Sequence, residues 1–152
     1  MDAVRLIEAT RLALAGASAT QDIVTEAWQT QALAEAVGSR LAVQGPFEAR
    51  AAARSLSEAG GKGSVALHRL TLRAGALRAA QLTEVRDPWA ALSDLGELLG
   101  EVGIALVGVA GACEEDGVYW QCIEAIDAAD ETSDRVAGLL RRLAVREHGG
   151  AA

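Results

Sequence analysis

Histidine is the side chain that most often moves protons or holds metals near neutral pH. This 152-residue chain has two, His68 and His148. A carboxylate-bridged di-metal centre in a helical protein takes Glu-x-x-His pairs from two helices. Neither histidine has a glutamate three residues before it, so no metal site and no cofactor are expected. No serine or cysteine has a histidine at a spacing that would suggest nucleophilic catalysis. Glu124, Asp127, Glu131 and Asp134 do recur at helical steps. Paired carboxylates can bind cations or work as acid and base. They lie opposite the apolar positions from Cys122 to Leu143, however, so they read as a solvated face. Glu114-Glu115-Asp116 reads as a solubilising corner of a turn.

Gly60-Gly61-Lys62-Gly63-Ser64 has the composition of an anion-cradling loop. A phosphate loop needs a preceding strand and Gly-Lys followed directly by Ser or Thr, whereas here Gly63 intervenes. The segment therefore reads as a flexible loop with a modest anion site at best. Cys113 and Cys122 flank a turn and read as reduced cysteines of the core. Trp28, Trp89 and Trp120 fall in periodic frames as core anchors. Trp28, Gln31 and Trp120 are also the candidates for a ligand pocket, because a buried Gln31 would need polar partners. Arg40, Arg50, Arg54, Arg69, Arg73, Arg78 and Arg86 form a basic run with no aromatic interleaving and no helix-turn-helix signature, so nucleic acid is not an expected partner.

The elements that must position these groups are helical. The apolar class is 51% of the chain, yet aromatics are 3% and alanine supplies 33 residues. Thin side chains of this kind favour helices packed closely on helices. Periodicity predicts helices over 2–15, ended by Gly16, and from a cap at Ser18 or Thr20 to about Val43. Pro46 opens a third over 46–59 with Phe47 and Leu56 as anchors, and Ser64 a fourth to about Val85. Asp87-Pro88 opens the next, to about Cys113. Between Glu101 and Glu114 it carries twelve uncharged residues, about 18 Å of helix and too short to span a bilayer. That end is expected to be buried all round. Gly96, Gly100, Gly103, Val107 and Gly111 share one face, a groove that Ala129 and Ser133 of the last helix, about 118–147, are expected to fill.

The expected fold is all-α: a single bundle of five or six helices over 1–147 with a long C-terminal hairpin, then a disordered tail at 148–152. Net charge is −7, but residues 40–86 hold eight basic residues against three acidic ones, and residues 87–152 four against thirteen. These segments are expected to pair within the fold or between subunits. The charged N-terminal stretch carries no secretory signal pattern, so a cytoplasmic protein with no membrane span is expected.

The segments MDAVRLIEATRLAL, EAWQTQALAEAVGSRLAV, GALRAAQLTEV, LLGEVGIALVGVA and YWQCIEAIDAADETSDRV cover roughly half the chain. Together they resemble a family of small actinobacterial proteins known only as a domain of unknown function. The resemblance implies a cytoplasmic protein of a high-GC bacterium and brings no activity or catalytic residue with it. What the residues themselves point to is a non-enzymatic interaction or regulatory protein that contacts a protein partner or self-associates as a homo-oligomer. The alternative is a bundle that binds a small molecule near Trp28 and Gln31.

Overall fold

Five α-helices carry the chain, and the described residues contain no strand. The structure, a computed structural model, describes residues 1–68, 70 and 76–150, with side chains through Val145. Arg69 and Arg73 of the basic run lie outside the described residues. So do 151 and 152 of the expected tail.

Helix α1 (Ala3–Ala15) stops at Gly16, whose N–H bonds back to the Leu12 carbonyl at 3.2 Å. Helix α2 (Thr20–Gln44) starts after Ala19 with no side-chain cap, so neither Ser18 nor Thr20 plays that part. A 3-10 turn (Phe47–Ala49) leads into α3 (Arg50–His68), and a second (Arg78–Gln81) follows it. Helix α4 (Pro88–Ala112) opens as expected, with Pro88 in its first turn and the Asp87 carboxylate accepting from Ala90 N at 3.1 Å. Helix α5 (Asp116–Gly150) completes the hairpin.

The packing is a square of antiparallel neighbours, α2 on α3, α3 on α5, α5 on α4 and α4 on α2, with α1 laid across α2 and α4. Gly38 abuts Ala53 and Ser57, while Gly60 abuts Gln31 and Glu35. Those pairings run in opposite directions along α2 and α3 and bring the two backbones together. At the other corner Gly96 faces Val136, and Val109 and Ala110 pack with Cys122. The core is built of Leu6, Ile7, Leu33, Leu56, Leu92, Leu95, Leu99, Leu106 and Leu139, together with Ala27, Ala34, Ala53 and Ala129.

Three expectations about elements are corrected. The glycine segment 60–64 is not a loop but the middle of α3, because its glycines let α2 approach. The predicted helix from Ser64 to Val85 does not form: α3 ends at His68, and residues 82–87 run without helix. Phe47 is no anchor; it is 81% exposed on its 3-10 turn. Of the tryptophans only Trp28 is buried, whereas Trp89 and Trp120 are exposed.

Candidate interaction surface

Among the described residues helix α4 packs on α1, α2 and α5, and its fourth side is open. At 100° per residue, Gly100, Ile104, Val107, Gly108 and Gly111 fall within about 100° of arc. Ile104 is 76% exposed and Val107 58%. Where a Cβ would stand at Gly100, Gly103, Gly108 or Gly111, no atom of the described residues beyond the helix's own nearby backbone comes within 4 Å. The second half of α4 is thus not buried all round. Its buried side is Val102, Leu106, Val109 and Ala110, and its outer side is an apolar ridge beside open glycine notches.

The groove is not filled as expected either. Helix α5 does present its seam to α4, with Cys122, Ala129 and Val136 buried and Ser133 half-buried. Only Gly96 is met by it, with Val136 Cγ1 3.5 Å from the position of a Cβ. Gly100 lies further round the helix, and Gly103, on the α5 side between Gly96 and Ala110, still has open space where a Cβ would stand. Beyond the turn, Tyr119 and Trp120 stand exposed with their rings edge-on, centroids 5.3 Å apart.

Charge frames this face. Arg11 of α1 reaches over to Glu97 at 3.1 Å and Glu101 at 2.7 Å, so the carboxylates at the start of the ridge are paired inside the molecule. The hydrogen bond to Glu101 is the main reason that the Arg11 guanidinium holds its proton more tightly than usual. From Val102 to Cys113 no residue is charged; Glu114, Glu115 and Asp116 then close the strip with exposed acids. By length and composition α4 is also apolar enough to cross a membrane, with mean hydropathy 1.6 over its richest 18 residues.

The other sequence candidates sit in different surroundings. Gln31 is fully buried, and its Oε1 accepts from Thr132 Oγ1 at 2.8 Å. Its Nε2 finds no partner among the described residues. Gly63 lies hard against this amide; a Cβ there would stand 2.6 Å from Nε2. Trp28, one turn earlier on α2, packs near the His68 ring with centroids 6.1 Å apart. Trp120 is 63% exposed and closes no interior space around them. A groove of about 960 Å³ opens instead over α2, α3 and the start of α5, beside Val43, Arg54, Lys62 and Glu124.

Ion pairing joins other segments than the two charge segments suggested. Arg78 grips Glu26, with Nη2 to Oε2 at 3.2 Å, and Nη1 also reaches Thr10 Oγ1 at 3.3 Å. Arg86 pairs with Glu84. Among the described residues no three of His, Cys, Asp and Glu converge where they could hold a metal ion. Glu124, Asp127, Glu131 and Asp134 all face solvent. The outer face of α4 is what sequence reasoning missed. The uncharged run announced it, but glycine was read as a sign of enclosure.

These features define an all-α bundle that leaves one helix face bare. The chain belongs to a family of unknown function, DUF6099, which it matches over residues 1–142. No curated protein and no solved structure matches it.

Proposed function

We propose that this protein is a non-enzymatic interaction or regulatory protein that works by protein–protein contact through the outer face of α4. The observation that carries the reading is the exposure of Ile104 and Val107 amid four unfilled glycine positions. A contiguous apolar strip bounded by charge is the usual mark of a contact surface, whereas scattered exposed apolar residues are not. Keeping such a strip bare costs solubility, and a partner that covers it removes that cost. The alternative of small-molecule binding near Gln31 is less supported, since Gly63 already occupies the space beside the amide.

The test is a pair of substitutions on this face, Ile104→Glu and Val107→Glu. Both side chains point to solvent, so circular dichroism and the thermal midpoint of the isolated chain should stay close to wild type. Association measured by sedimentation velocity, or recovery of a partner by affinity capture, should be lost. A wild-type chain that is strictly monomeric and recovers no partner overturns the reading.

A further inference from the structure

Residues 100–111 read Gly-Glu-Val-Gly-Ile-Ala-Leu-Val-Gly-Val-Ala-Gly. With the segment folded about its midpoint between Ala105 and Leu106, four of its six pairs match, Glu101 with Ala110 and Ala105 with Leu106 being the exceptions. Gly100 matches Gly111, Val102 matches Val109, Gly103 matches Gly108, and Ile104 matches Val107. The mirrored pairs divide by face. Val102 and Val109 are both turned into the core of the bundle, while Ile104 and Val107 are both exposed. The four glycines all have open space outside them.

A two-fold interface sets one surface against itself, so residue i meets residue j and j meets i. Any helix lying antiparallel on its own copy satisfies that rule, and a face that reads nearly alike in both directions, as the outer face of α4 does over residues 100–111, sets similar groups opposite one another. With the axis between Ala105 and Leu106, Ile104 of one copy lies beside Val107 of the other. The ridge residues of each helix then have the glycines of its mate next to them, and glycine lets two helix axes approach closely. The strip itself carries no charge, and in this register the exposed Glu114 of one copy comes opposite Glu97 of the other, where Arg11 is the cation already in place. An anionic lipid surface fits less well, because the exposed acids Glu114, Glu115 and Asp116 stand at the end of the same strip.

We infer that the occupant of the α4 outer face is a second copy of this chain, bound antiparallel across a two-fold axis between Ala105 and Leu106. The inference rests on the proposed reading of this face as a contact surface and adds its partner and geometry.

Cysteine pairing tests the geometry. In this arrangement Gly100 stands opposite the partner's Gly111, whereas the two copies of Gly100 are separated by about 16 Å along the helix axis. A disulfide needs Cα atoms within about 7 Å. In a Cys113→Ser background, with Cys122 buried, a mixture of Gly100→Cys and Gly111→Cys chains should cross-link under mild oxidation. Neither variant should cross-link alone. As a second measurement, Gly103→Ala with Gly108→Ala should weaken association by about tenfold or more through lost close approach, while the thermal midpoint of the dilute monomer rises.

Self-linkage of Gly100→Cys alone means parallel pairing and overturns the inference. A dimer untouched by Ile104→Glu also overturns it, by placing the contact elsewhere. A monomer that captures a different protein, or floats with phosphatidylglycerol vesicles, in an Ile104-dependent way overturns the second copy. The protein-capture result leaves the contact-surface reading standing; the vesicle result removes both.

Discussion

Gln31 and the glycines around it show what single residues do in a bundle with so thin an interior. An amide buried between α2, α3 and α5 is tolerated because Thr132 supplies one partner and Gly63 yields the space. A buried donor without a partner costs about 1–3 kcal/mol. Gln31→Met, which keeps the length and removes the orphaned N–H, should therefore leave stability unchanged or raise it; urea unfolding checks the sign. The three glycines of α3 separate by what faces them. A Cβ at Gly60 would meet the backbone of α2, with Gln31 O at 2.8 Å, so Gly60→Ala should destabilise by about 1–3 kcal/mol. At Gly61 a Cβ meets only the Glu35 carboxylate at 3.3 Å, the movable end of a flexible side chain. Gly61→Ala should then gain up to about 1 kcal/mol of helix propensity. Equal effects at the two positions would refute the close-approach account. Thiol chemistry divides in the same way. Burial pushes the Cys122 thiol up, which keeps it protonated, while Cys113 is partly exposed. Alkylation at mildly alkaline pH should modify Cys113 first and Cys122 only on unfolding.

The boundaries of the elements were partly legible in the sequence. The end of α1 follows from Gly16 and the start of α4 from Asp87-Pro88. The seam of α5 follows from the alternating four- and three-residue spacing of Cys122, Ile126, Ala129, Ser133 and Val136. What misled was glycine, which one dimension cannot interpret. Gly60, Gly61 and Gly63 look like a break, yet two of them are contact points for α2; the glycines of α4 look enclosed, yet four are open. The reverse error came after His68, where leucines at helical spacing suggested a helix that the polar clasp replaces. There Gln29 Nε2 donates to the Ala76 carbonyl at 3.0 Å, and its Oε1 accepts from Arg78 N at 2.9 Å. The Arg78 side chain then closes on Glu26, which is 9% exposed. Such long-range pairing leaves no periodic trace in the sequence. Arg78→Ala strands a nearly buried carboxylate and should cost about 1.5–3 kcal/mol. Glu26→Gln should soften that loss in the double variant, since the stranded charge is gone; a double-mutant cycle by chemical denaturation measures the coupling. Additive effects would mean that the clasp contributes nothing to the fold.

At the scale of the whole molecule, the arrangement leaves α4 as the helix with most at stake in association. It packs on α1, α2 and α5 through a nearly unbroken leucine stripe, so its core side is committed. Its outer side keeps Ile104 and Val107 in water, and those side chains gain burial only when something covers them. If the cover is a second copy, folding and association are linked, because a partner that binds the native chain and not the unfolded one raises apparent stability with concentration. At a hundred times the dissociation constant the gain is about 2.7 kcal/mol. For a domain of this size that corresponds to a thermal midpoint several degrees higher, roughly 5–10 °C. The wild-type midpoint should therefore climb across a dilution series, and the Ile104→Glu midpoint should stay flat, the two curves meeting at low concentration where both chains are monomers. Convergence at the dilute end matters as much as the slope. It separates an interface loss from damage to the core, which would lower the Ile104→Glu curve at every concentration. Flat and coincident curves would mean that the outer face of α4 contributes nothing to self-association.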